Sequence, residues 1–270
     1  MDTRLNLHRP SSDEVSAMIA HLQQSFKEVG RIITENAGNI AFKDKLDGSP
    51  VTEIDKQVED LLLRSFEAAF PGIPIYGEES GYTDSLPDFF WLIDPIDGTK
   101  SFIENIPAFT SMAVLIVGDE TVASIIYNPS TDEMFIAQKN LGAYKNGEKL
   151  MLSLKPLPKK AASKGRYFEL LNSFMEPAGV TCELAPVGAG FGFARVAEGQ
   201  IAARFQLGSQ GYIHDYATGA LLVQEAGGAI IPVKDSSYNF RSKSFVACHP
   251  GLAPTIVDHL NEIRKMEEEL

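Results

Sequence analysis

Asp94 and Asp97 stand on either side of Pro95, at the end of the apolar run from Phe89 to Ile93. Magnesium takes oxygen ligands in near-octahedral geometry, commonly a few carboxylates with water completing the shell. A proline-bearing turn at a strand end can aim both carboxylates, and the Ile96 carbonyl between them, at one point. Pro95 limits the backbone and withholds a donor, while Gly98 lets an anion approach the main chain closely. Thr99 then opens a helix through Lys100 to Asn105, its amide and hydroxyl directed toward that anion. Upstream, Glu78 and Glu79 are adjacent in Gly77-Glu78-Glu79-Ser80. Neighbouring carboxylates repel, and burying both is unfavourable unless a cation sits with them. These residue types suit divalent cations and phosphate. Individually each has a plainer use: Asp55 and Asp215 can cap helices, Gly98 and Thr99 can be turn residues, and Lys45 can face solvent.

Taken with Glu78 and Asp215, the run Asp94-Pro95-Ile96-Asp97-Gly98-Thr99 resembles the signature of the inositol monophosphatase superfamily of metal-dependent phosphatases. The resemblance runs from about Lys45 to Gly228. It takes in Lys45 to Asp55, Gly77-Glu78-Glu79, Asn146-Gly147, Asp215-Tyr216-Ala217-Thr218-Gly219-Ala220 and Glu225-Ala226-Gly227-Gly228. It implies an α+β fold, a five-layer αβαβα sandwich, and often a homodimer. It also implies two or three Mg2+ ions, with Mn2+ as a substitute and Ca2+ or Li+ as inhibitors. By that resemblance Glu78, Asp94 and the Ile96 carbonyl form one metal site; Asp94, Asp97 and Asp215 form another; and Glu78 also serves a weaker third. Gly98 and Thr99 match the amides that hold phosphate, and Thr99 with Asp55 matches the pair that orients and deprotonates the attacking water. Lys45 matches a loop lysine near the phosphate, with Lys43 a close alternative.

The reaction so implied is magnesium-dependent hydrolysis of a small phosphomonoester by metal-activated water. An inositol or sugar phosphate is the first substrate class. A 3′(2′),5′-bisphosphate nucleotide and histidinol phosphate are alternatives, toward which Ser49-Pro50 and Lys100-Ser101-Phe102 lean, and Phe109-Thr110 resembles the nucleotide branch. Specificity is expected from Ser163 to Arg166, Pro186 to Arg195 and Arg204 to His214. Gln206 is the nearest counterpart of a glutamate that touches a sugar hydroxyl in inositol monophosphatases, at a longer spacing from Asp215. His214 replaces the family's usual tryptophan; packing or leaving-group recognition is the expected role, ahead of coordination. A noncatalytic metal-responsive binding module is the alternative from a different class, disfavoured by Thr99 and Asp55 beside the metal residues.

The elements that must position these groups follow from periodicity. Val15, Met18, Ile19, Leu22, Phe26, Val29 and Ile33 recur at steps of three and four, predicting a helix from Ser12 to about Asn36 with Gly38 as its stop. Phe42 to Val51 reads as an irregular ribbon. Thr52 with Asp55 three positions on predicts a capped helix whose buried face is Ile54, Val58, Leu61, Leu62 and Phe66. Met112 to Val117, Thr121 to Tyr127 and Glu133 to Ala137 predict a meander. Pro156, Pro158 and the lysines of Lys155 to Lys164 mark a connector, dividing a lobe of residues 1–154 with the metal and phosphate motifs from a lobe of 155–270 that brings the last metal aspartate. Beyond it come a helix near Phe168 to Glu176, a strand near Thr181 to Pro186, a glycine-rich turn at Gly188 to Gly192, a helix from Asp215 to Ala226, a strand from Ala229 to Val233 and one last helix from Leu252 to Glu268.

A chain of 270 residues, 44% hydrophobic, can bury a large core without disulfides. Its two cysteines, Cys182 and Cys248, give neither a disulfide framework nor a zinc spacing. With no secretory signal and no membrane-length apolar window, a cytoplasmic location is expected. The formal charge of −12 argues against a nucleic-acid polymer as partner, but not against a small phosphorylated metabolite at a site neutralised by metal.

Overall fold

The computed structural model describes residues 9–38, 40–45, 48–82, 86–163, 168–184, 188–208 and 211–268. Leu46 and Asp47, and parts of the three expected specificity segments (164–166, 186–187 and 209–210), lie outside the described residues.

Helix α1 (Ser12–Asn36) is capped by Ser11 and Glu14 in a reciprocal capping box. All seven of its predicted apolar positions are buried, each worth about 1.5–3 kcal/mol of transfer free energy. A two-stranded ribbon, β1 (Phe42–Asp44) and β2 (Pro50–Thr52), leads into α2 (Glu53–Ala69). Its Thr52 cap and Asp55 partner form as expected. Leu61 is a correction: it is 41% exposed, on the solvent side of a face made by Ile54, Val58, Leu62 and Phe66.

The larger sheet contains β3 (Ile75–Gly77), β4 (Phe89–Asp97), β5 (Thr110–Val117), β6 (Glu120–Asn128), β7 (Glu133–Gln138), β8 (Gly142–Lys145) and β9 (Glu148–Lys149), in that spatial order. β3 and β4 are parallel and the rest antiparallel. The short helix α3 (Thr99–Ile103) follows β4. A second sheet has the order β11-β10-β12-β14-β13. Its strands are β10 (Lys160–Ser163), β11 (Thr181–Leu184), β12 (Ala203–Gln206), β13 (Ala229–Pro232) and β14 (Phe245–Cys248). The helices of this half are α4 (Phe168–Met175), α5 (Ala189–Ala197), α6 (Ile213–Glu225), α7 (Ala253–Asp258) and α8 (Leu260–Glu268).

Alternation along the strands divides the core into layers. In β4, Phe89, Trp91 and Ile93 pack with α1 and α2, while Phe90 and Leu92 face Ala217 of α6. In β14, Phe245 and Ala247 join α5 and α6, while Val246 and Cys248 join α4, α7 and α8. The sequence of layers is therefore helices, large sheet, helices, small sheet, helices: the five-layer α+β sandwich.

Three local expectations are corrected. Lys160–Ser163, placed in the connector, is a strand held parallel to both β11 and β12. Gly188 to Gly192 is the start of α5 rather than a turn. The terminal helix breaks at His259 into α7 and α8.

Candidate metal and phosphate site

Strand β4 carries the central motif, and it does not stop at Pro95. Asp94 pairs with Met112 and Asp97 with Thr110, so three steps on β4 oppose two on β5. Residues three apart on a regular strand point to opposite faces. The extra residue of this bulge reverses the alternation and brings both aspartates to one side. Pro95, which cannot donate to the ladder, sits inside the irregularity, and its carbonyl accepts from the Ser111 hydroxyl at 2.6 Å. The bulge does what a turn was expected to do. Gly98 then takes φ 81°, a left-handed conformation that favours glycine, ahead of α3.

Four elements converge on this bulge. Asp94, Asp97 and Asp215 each offer an oxygen within 4.8 Å of the others, as do Glu78, Asp94 and His214 with one ligand atom apiece. Three carboxylate charges at that spacing repel by about 3 kcal/mol per pair at an effective dielectric near 20. Together that rivals the net stability of a domain, about 5–15 kcal/mol. Asp94 shows the strain most clearly: burial, then the charges of Glu78, Asp97 and Asp215, push its carboxyl well above the usual range. One of its oxygens, Oδ1, is buried with no hydrogen-bond partner. An orphaned buried oxygen among converging carboxylates fits a divalent cation.

Two of the carboxylates, Asp97 and Asp215, are braced by backbone amides. Asp97 accepts the first amides of α5, Ala189 at 2.9 Å and Gly190 at 2.8 Å, and the Thr110 hydroxyl at 3.1 Å. Asp215 lies in the first turn of α6 and accepts the Tyr212 amide at 2.5 Å. Glu78 follows β3, its amide donating to the Ile93 carbonyl at 3.0 Å. The Lys45 ammonium donates to Glu78 at 2.7 Å and Glu79 at 2.6 Å. Burial would lower the Lys45 pKa, but the hydrogen bonds and charges of those glutamates outweigh it and raise it. Lys45, expected near phosphate, thus rests on the acidic pair.

Beside the cluster, the Thr99 hydroxyl donates to the Ile96 carbonyl at 3.1 Å and reaches Oδ1 of Asp55 at 3.4 Å. The other oxygen of Asp55 accepts the Thr52 amide at 2.9 Å and hydroxyl at 2.5 Å. Burial pushes the Asp55 carboxyl up, against these hydrogen bonds. Asp55 is thus both the helix cap and the partner of Thr99. His214, 1% exposed, lies with Nε2 3.7 Å from Glu78 and stacks on Tyr212. Gln206 ends β12 opposite Phe245, 9% exposed.

Of two further residues here, one was not singled out in the sequence and the other was named only as the start of a specificity segment. Glu59 of α2 is 3% exposed and accepts the Glu79 and Ser80 amides, both at 2.7 Å, fixing the turn that presents Glu78. Arg204 of β12 is 1% exposed, with Nε and Nη1 unpartnered and its guanidinium 5.0 Å over the Phe193 ring. Burial lowers its pKa, against the favourable charges of Asp97 and Asp215. The only sequence signals were a glutamate on the buried face of α2 and an arginine in a short apolar strand.

Comparison with known proteins follows the same lines. A family profile described as the inositol monophosphatase family matches residues 14–265. The Nus factor SuhB of Pseudomonas aeruginosa is 31% identical over 229 residues, 78% of this chain and 83% of that protein. The inositol monophosphatase of Dictyostelium discoideum is 29% identical over 245 residues, 84% of this chain and 88% of that one. Among solved structures, an IMPase/NADP phosphatase complexed with Mg2+ and phosphate has the same fold, with a TM-score of 0.77 at 18% identity over 92% of this chain and 95% of that one.

Proposed function

Because this chain belongs to the inositol monophosphatase family, and with it to the phosphatases, we propose that it hydrolyses a small phosphomonoester, an inositol or sugar phosphate first, with magnesium as its cation. Glu78, Asp94 and the Ile96 carbonyl would hold one ion, and Asp94, Asp97 and Asp215 a second. Bound there, the cations supply Lewis-acid charge to the phosphoryl oxygens and acidify a water. The chain's own groups do the rest. Main-chain amides at Gly98 and Thr99 hold the phosphate and face the charge that grows on it. The Thr99 hydroxyl orients the attacking water, and Asp55, whose proton affinity burial has raised, takes the proton. Gln206 would help to read the leaving alcohol.

The observation carrying this reading is the approach of Thr99 to Asp55 beside the acidic cluster. Capping α2 occupies only Oδ2 of Asp55, through Thr52, so the Thr99 hydroxyl at Oδ1 is not accounted for by that structural role. Phosphate release from myo-inositol phosphates, histidinol phosphate, fructose 1,6-bisphosphate and adenosine 3′,5′-bisphosphate, with and without Mg2+, tests it. Preference for an inositol or sugar phosphate supports the substrate class; equal rates after chelation contradict the magnesium requirement.

The relative named as a Nus factor favours a second reading, a binding role without turnover. Stoichiometric Mg2+ binding with no phosphate release from any of these esters would support it over catalysis. We also propose a cytoplasmic homodimer. Both cysteines are free and buried, as suits a reducing compartment, and light scattering checks the assembly.

A further inference from the structure

We propose that His214 is a metal ligand, forming with Glu78 and Asp94 a mixed nitrogen and oxygen site that favours a first-row transition ion over magnesium. The proposal rests on the metal-dependent reading above and changes which ion the first site selects.

The residue is almost fully buried, yet neither ring nitrogen has a hydrogen-bond partner. Buried polar atoms are nearly always paired, so the unpartnered Nε2 facing the carboxylates calls for an occupant, with Nδ1 left to a bound water. Its surroundings fix where that occupant sits. Tyr212 stacks on the ring at 5.4 Å and 18°, and Tyr82 meets it edge-on at 6.2 Å and 82°. Held between them, the ring presents Nε2 3.7 Å from Oε2 of Glu78. Asp94, with its own orphaned Oδ1, completes a group whose ligand atoms lie within 4.8 Å of one another. Cis ligands about 2.1 Å from a common ion are about 3 Å apart and trans ones about 4.2 Å, so the widest pairs would have to close by up to about 2 Å on binding.

The donor chemistry then bears on the ion. Magnesium prefers oxygen and gives up water reluctantly, whereas imidazole suits first-row transition ions. One imidazole with two carboxylates is a donor set that Mn2+ and its heavier neighbours accept more readily than magnesium. The competing account is a protonated His214 ion-paired with Glu78. Under it, a cation would still bind the carboxylates but with no nitrogen attached.

Electron spin echo modulation of Mn2+, titrated from one equivalent to saturation, separates the two. The expected result is the coupling of a directly bound nitrogen-14, converted to the nitrogen-15 pattern when the unaltered protein carries 15N-histidine, and lost in His214→Phe. Calorimetric competition should also show the Mn2+ over Mg2+ preference falling about 10–100-fold in His214→Phe, a range comparable with losses at metal-site partners. Bound Mn2+ with no nitrogen coupling at any loading, or coupling that survives His214→Phe, overturns the proposal and leaves the phosphatase reading standing. Failure of the protein to bind Mn2+ or Mg2+ at all overturns both.

Discussion

Oδ1 of Asp97 accepts the amide of Ala189 at 2.9 Å, across 92 positions of sequence. The bond joins the central motif to the start of α5, whose positive end suits a carboxylate. It also explains why glycine stands at position 188: a Cβ there would lie 2.3 Å from Oδ2 of Asp97. Gly188→Ala should displace Asp97 and cost about 1–3 kcal/mol by overpacking. Thermal melts and Mg2+ calorimetry on the same variant check this; unchanged stability together with unchanged affinity would show that Asp97 needs no such support.

In the proposed mechanism Asp55 and Thr99 serve proton transfer rather than cation binding. Asp55→Asn and Thr99→Ala should each lower kcat by about 10²–10⁴-fold, with Mg2+ affinity kept within a few fold. Asp55→Asn also weakens the α2 cap, so melting is followed alongside. A loss confined to KM would remove both residues from the proton path.

Lys45 offsets the charge of Glu78 and Glu79. Lys45→Met leaves that pair without its internal cation, so the metal-free protein should melt lower while added Mg2+ should raise its melting point more than it raises that of the unaltered protein. The difference arises because ligands binding only the folded state stabilise it by mass action. Equal metal-induced shifts in both proteins would show that Lys45 does not compete for the acidic pair.

A pH effect is expected at Glu133, which pairs with Arg195 and Lys145 on the flank of α5. Burial pushes its carboxyl up, but hydrogen bonds from Arg195, Lys145 and Thr131 outweigh that and hold it at about 2, below its ordinary 4.5. A carboxyl lowered on folding adds stability above its unfolded pKa and loses it as pH falls through the folded one. Glu133→Gln should therefore be less stable near pH 7 by about 1 kcal/mol, a figure reduced for solvent screening, with the gap closing from pH 4.5 toward 2. Denaturant midpoints across that range give the answer; a gap independent of pH would refute the pairing.

What the sequence made legible was local. The α1 stripe, the Thr52–Asp55 cap and the order of acidic motifs depend on residues a few positions apart. Groupings made across the fold were not legible. Glycines at 188, 190 and 192 read as a turn because each costs a helix about 1 kcal/mol. Tertiary packing reverses that choice, since a Cβ at Gly190 would lie 2.3 Å from the Met112 sulfur and one at Gly192 2.1 Å from Arg204. Arg204 was named only as the start of a specificity segment, and its burial was not foreseen because arginine is rarely buried. The convergence of Asp94 and Asp97 was foreseen, but its cause, a bulge against β5, depends on the partner strand.

Asp94 belongs to both candidate ion sites, so its replacement tests the account most directly. Phosphate release and Mg2+ affinity should be measured together for the unaltered protein and Asp94→Asn. The proposed metal site predicts chelator-sensitive hydrolysis that falls at least about 10²-fold in the variant, along with weakened Mg2+ binding. Hydrolysis by Asp94→Asn at the unaltered rate, or turnover indifferent to chelation, would contradict it.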